Sequence, residues 1–146
     1  MMPSEQELRD LLPWYVNGTL HDATRHMIDL LLERSPLVRG ELLWLLQLRS
    51  QIQQFREEAE AIADSRPSAF ELIAGRQRQG QVALCMEALP DEQRECIHMV
   101  FYEDAPLAEI AAVQACPENT VKTRLFHARR KMRECLERQV WRMEHA

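Results

Sequence analysis

The sequence predicts an all-α protein, and three observations carry that expectation. Helix-forming residues dominate, the 146-residue chain has only four glycines, and no long run alternates apolar with polar residues as a strand would. A chain of this length fits one compact domain or two very small ones. The organisation read from it is a helical amino-terminal domain over 1–79 and a helix-turn-helix domain over 80–146, with Gly80 at the seam.

Taken in order, Ser4 is placed to cap a helix from Glu5 to Leu12 that Pro13 ends, and Asn17-Gly18 makes a turn after Trp14, Tyr15 and Val16. Without interleaved basic residues, Trp14 and Tyr15 read as packing residues and not as a base-stacking platform. Thr19 or Asp22 caps the next helix, whose apolar side is marked by Ala23, Met27, Leu30 and Leu31 before Ser35-Pro36 ends it. A long third helix is expected from about Leu37 to Ile62, with Val38, Leu42, Leu45, Ile52, Phe55, Ala59 and Ile62 on one side. Leu43, Trp44, Leu46 and Leu48 widen that face, so the helix wants partners on more than one side. It suits a bundle core, a homodimer seam or a protein-binding surface equally.

Ser68 and Glu71 form a capping-box signature for a further helix through about Gln79. Beyond Gly80, Val82, Leu84, Cys85 and Leu89 mark a helix ending before Pro90. Asp91 to about Tyr102 follows, with Ile97, Val100 and Phe101 inward, and Asp104-Ala105-Pro106 leads to a short apolar helix carrying Leu107, Ile110, Ala111 and Val113. Small residues at Ala111 and Ala115 would let the next helix cross closely, as a helix-turn-helix requires.

That next helix is the centre of the sequence. Pro117 suits a first helical turn, and Glu118 suits the positive end of the helix dipole. Val121, Leu125, Ala128, Met132 and Leu136 recur at three- and four-residue steps and form a burial stripe. From Asn119 to Arg133 there is no acid, while Lys122, Arg124, Arg129, Arg130, Lys131 and Arg133 fall in the same interval. Such a density of one charge repels itself unless an anion is near, and phosphate is the natural one.

The stretch from Leu89 to Leu136, with its LP-x-x-x-R opening, EIA core and NTVKTRL-x-x-ARRK helix, resembles region four of extracytoplasmic-function sigma factors. The resemblance implies a domain that reads the minus-35 element of promoters. It places Glu118, Asn119, Thr120, Lys122, Thr123 and Arg124 at the groove-facing start of the helix, and Arg129, Arg130 and Lys131 near phosphates. Two positions depart from the family pattern: Ala115 stands where Gly is usual, and Gln114 where Leu is usual. LLPWYVNGTL at Leu11 to Leu20 and LLLERSPLVRGELLWLLQLR at Leu30 to Arg49 resemble the helical domain of zinc-type anti-sigma factors, which occludes sigma factors. The zinc ligands of that family would fall on Leu31, Ser35 and Val38, which cannot hold the metal.

The formal net charge is −5, so the basic helix has to act as a local patch whose binding is sensitive to salt. Cys85, Cys96, Cys116 and Cys135 show no C-x-x-C spacing and read as reduced, mostly buried thiols, in keeping with a cytoplasmic protein. Neither a signal peptide nor a membrane span is expected. No phosphate loop, metal-ligand spacing or nucleophile set is present, which excludes an enzyme and implies no cofactor and no metal. Sigma region two is not recognisable. Two functions remain: a regulator that binds double-stranded promoter DNA, with contact to RNA polymerase or a sigma factor left open, or an interaction protein that captures a sigma factor or masks its own DNA-binding helix.

Overall fold

The computed structural model describes residues 2–64 and 81–145, and every regular element among them is helical. The capping box at Ser68 and Glu71 and the seam at Gly80 lie outside the described residues, as do the side chains of Phe55, Ala59 and Ile62.

Helix α1, Glu5–Asp10, starts where expected, with the Ser4 hydroxyl accepting from the Glu7 amide at 3.2 Å. Pro13 does not end that helix as the sequence suggested. The chain turns at Leu11, and Pro13 sits in the first turn of α2, Leu12–Val16, where a proline lacks no intrahelical bond. Gly18 follows at φ +79°, a conformation that costs glycine little. Helix α3, Asp22–Arg34, has His21 at its N-cap in place of the expected Thr19 or Asp22, because the Thr19 hydroxyl is engaged with Asn17 Oδ1. Its buried residues are Ile28 and Leu31, while Leu30 and Ala23 are exposed.

Helix α4, Pro36–Asp64, opens on a Ser35 hydroxyl that accepts from the Val38 amide at 3.3 Å. Val38, Leu45, Leu48 and Ile52 are buried and Trp44 is half-buried, which leaves Leu43 and Leu46 exposed. A helix over 81–87, α5, is followed by α6, Asp91–Ile97, and a π-helical turn, His98–Tyr102. Sequence periodicity led to one continuous helix here; the wider turn, closed by Glu103 N to His98 O at 3.1 Å, keeps Met99, Val100 and Phe101 all turned inward. Helix α7, Leu107–Gln114, and the long α8, Glu118–Glu144, complete the chain.

One apolar core runs through both parts of the chain. Leu12, Trp14, Ile28, Leu45 and Ile52 belong to the same cluster as Ile97, Phe101, Ile110, Leu125 and Met132. Each fully buried Leu, Ile or Phe contributes about 1.5–3 kcal/mol relative to exposure. Polar bonds join the two parts at the segment after α6. Asn17 Nδ2 donates to Val100 O (3.1 Å) and Ala105 O (3.0 Å), and Gln53 Nε2 donates to Phe101 O (2.6 Å). Arg49 pairs with Asp104.

The expectation of four reduced thiols is corrected. Cys85 on α5 and Cys135 on α8 form a disulfide, the fold bringing their Cα atoms to 5.7 Å across a sequence separation of 50. That distance is in the range a disulfide needs, and helix spacing along the chain gives no sign of it. Cys96 and Cys116 remain free. Among the described residues, no helix is long and apolar enough to cross a membrane, and no group of His, Cys, Asp and Glu is clustered as a metal site.

Candidate nucleic-acid interface

The turn between α7 and α8 is made by Ala115, at φ 52° and ψ 47°. This left-handed position is costly for any residue with a Cβ, and it explains why glycine suits the place. Pro117 is the N-cap of α8, one position ahead of where the sequence placed it, and Glu118 opens the first turn. Val121, Leu125, Ala128 and Met132 are all buried, so the predicted stripe is the face that α8 turns toward α6 and α7.

Gln114, the departure from the family's leucine, joins three helices. It donates to Glu92 O of α6 at 3.0 Å, while its Oε1 lies 3.2 Å from the Cys96 thiol and accepts from Arg124 Nη1 at 2.8 Å. Burial is the main cause that pushes the Cys96 thiol up to about 11, with the bond to Gln114 opposing it. Arg94, the arginine of the LP-x-x-x-R motif, turns back onto the end of α5: its Nε donates to Met86 O at 3.2 Å and its Nη2 to Leu89 O at 3.0 Å. The motif's arginine therefore ties the start of α6 to carbonyls at the end of α5, adding to the bond that Met86 O already accepts from the Leu89 amide.

The nine predicted contact residues do not form one uniform surface. Glu118, Asn119 and Thr123 are exposed, and Thr120 and Lys122 are half-buried beside them. The Thr123 hydroxyl donates to Asn119 O at 3.0 Å. Arg124 is half-buried and held by Gln114 and, at 3.5 Å, the Cys116 sulfur. Arg130 and Lys131 are exposed, with Arg130 Nε at 3.4 Å from Glu134.

Arg129 differs from its neighbours. It is half-buried, its Nε is enclosed without a hydrogen-bond partner, and burial lowers its pKa despite the opposing pull of Glu41 and Asp10. Asp10 and Glu41 line one depression with Phe126, Arg129, Arg130 and Arg133. Arg9 pairs with Glu41 in the wall of the same depression, a contact that raises the Arg9 pKa. A second depression is bounded by Gln6 and Asp10 of α1 and by Asn119, Lys122, Thr123 and Phe126 of α8. Arg133 lies over the Trp44 ring, 5.4 Å from its centroid. Sequence reasoning passed over Phe126 and counted Arg133 only as part of the basic interval, although a one-sided i, i+3, i+4, i+7 pattern from 119 through 122, 123 and 126 to 133 was there to find.

Residues 79–132 match the family described as "Sigma-70, region 4". The carboxy-terminal part of the chain resembles sigma-70 region 4. Among curated proteins, the ECF RNA polymerase sigma factor SigK of Mycolicibacterium vanbaalenii is 29% identical over 143 residues, covering 88% of this chain and 71% of the relative. The SigK of Mycobacterium ulcerans is 30% identical over 110 residues, covering 66% of this chain and 58% of the relative. That of Mycobacterium tuberculosis is 37% identical over 65 residues, 44% of this chain and 34% of the relative. This chain thus spans only part of each of these proteins. Coverage of 88% extends the first likeness into the amino-terminal helices. The anti-sigma resemblance of those helices finds no support in these relatives. No solved structure matches significantly. The likenesses support a sigma-factor-like, DNA-binding and non-enzymatic transcription regulator.

Proposed function

We propose that the chain binds promoter DNA of the minus-35 type by placing the start of α8 in the major groove. The observation that carries this reading is the left-handed turn at Ala115, which sets a helix with an exposed start and no acid from 119 to 133 against α7. Asn119, Lys122 and Thr123 take the base edges, with Glu118 and Thr120 beside them. Arg124, tied to the turn through Gln114, orients this group and reaches phosphate or base by exchanging that bond. Arg130 and Lys131, exposed one to two turns on, hold the backbone, and Arg129 joins them once uncovered. Contact with RNA polymerase belongs to the same proposal.

Selection of bound duplexes from a random library tests the reading. Enrichment of one short motif is the expected result. Recovery of unrelated sequences with equal affinity would remove base reading and leave only phosphate contact.

A further inference from the structure

We infer that α1 is an autoinhibitory cover of the DNA-binding helix, and that DNA and α1 compete for the same side of α8. The inference rests on the proposed DNA binding and adds its regulation. Gln6 and Asp10 share a depression with Asn119, Lys122, Thr123 and Phe126, so α1 stands on the side of α8 that has to enter the groove. The phosphates of a duplex carry a charge every ~1.7 Å along its axis, and such a polyanion cannot approach this side while an acidic helix flanks it. The cover also has the wrong sign for DNA. Glu5, Glu7 and Asp10 outnumber the single Arg9, which is itself neutralised by Glu41.

Arg129 supplies the second observation. Its guanidinium is desolvated in the wall of the neighbouring depression, where Glu41 and Asp10 offset its charge only in part. In this state the residue faces the amino-terminal helices and not a phosphate. Release of α1 exposes Arg129 and removes the acid at position 10 together. The cover is lightly held: Leu8 is the one buried residue of α1, whereas α2, α3 and α4 contribute most of the amino-terminal share of the core. Local opening of such a peripheral element costs much less than global unfolding.

The test uses the full chain. Anisotropy of a labelled random-sequence duplex at about 50 mM salt is compared for wild type, Asp10→Ala and Leu8→Ala, with hydrogen exchange of the amides over 5–10 followed with and without DNA. Asp10→Ala keeps the core intact and should bind about threefold tighter or more, and Leu8→Ala, which loosens the whole element, tighter again. In wild type, DNA should speed exchange over 5–10. Unchanged affinity in Asp10→Ala together with unchanged protection of α1 overturns the cover and leaves DNA binding standing. If neither wild type nor either variant binds the duplex, both the cover and the DNA reading fall.

Discussion

Arg49 of α4 holds Asp104 through two hydrogen bonds, Nε to Oδ1 at 3.2 Å and Nη2 to Oδ2 at 2.9 Å. Asp104 sits at φ 54°, a left-handed position that Asp tolerates better than most residues. The pair fixes the loop ahead of α7, and with it the start of the helix-turn-helix, to the amino-terminal half. Both side chains are about a third exposed, so the attraction is partly screened. Arg49→Ala should lower stability by about 1 kcal/mol, read as a shift of the urea midpoint with an unchanged slope. Because the core is shared across both halves, fluorescence and circular dichroism should report one coincident transition.

At the turn, Ala115 carries a Cβ in a conformation that costs an ordinary residue roughly 1–2 kcal/mol. Glycine removes that cost and loses part of the gain to the greater freedom of its unfolded state. Ala115→Gly should therefore stabilise the protein by about 1 kcal/mol, seen as a rise in Tm. A fall in Tm would mean that the methyl group packs in a way its exposed position does not suggest.

The all-α class, the burial stripe of α8 and the order of the carboxy-terminal helices were legible because they depend on local periodicity. Val121, Leu125, Ala128 and Met132 announce their shared face by spacing alone. What the sequence hid depends on contacts between distant residues. Pro13 reads as a stop until the turn at Leu11 shows it to be a start. Cys85 and Cys135 meet only because α5 and α8 pack together, and Arg129 looks like any basic residue of its helix until Glu41 and Asp10 are placed beside it. Gln114 appeared as a mismatch with a leucine and is instead the polar tie between α6, α7 and α8.

The disulfide closes a loop between residues 50 apart, which in the chain-entropy account is worth about 4 kcal/mol at most. Reduction, or the Cys135→Ser variant, should lower stability by about 2–4 kcal/mol. The check is a urea titration with and without reductant. The variant itself should be insensitive to reductant, which separates loss of the crosslink from any other effect of the reagent.

The two free cysteines should differ in reactivity. Cys96 is fully buried with its thiol pushed up to about 11, so at pH 8 almost none of it is the nucleophilic thiolate. Cys116 is half-buried at the turn. Iodoacetamide at pH 8 should modify Cys116 first and leave Cys96 intact until the protein unfolds, with peptide mass mapping as the readout. Gln114→Leu leaves in place the burial that raises the Cys96 thiol and so should not speed its modification.

Arg124 and Arg130 separate orientation from anchoring. Arg124 is bonded into the turn, so Arg124→Ala disturbs the residues beside it in the groove and should change the enriched motif as well as weaken binding by about 1–3 kcal/mol. Arg130 is exposed on a later turn, where it pairs with Glu134 at 3.4 Å. Arg130→Ala should weaken every sequence alike and reduce the salt slope by about one ion, because one phosphate contact is lost and no base contact with it. Affinities measured over a range of salt, on the selected duplex and on a scrambled one, distinguish the two. Equal losses on both duplexes for Arg124→Ala would make that residue a phosphate anchor and remove its orienting role.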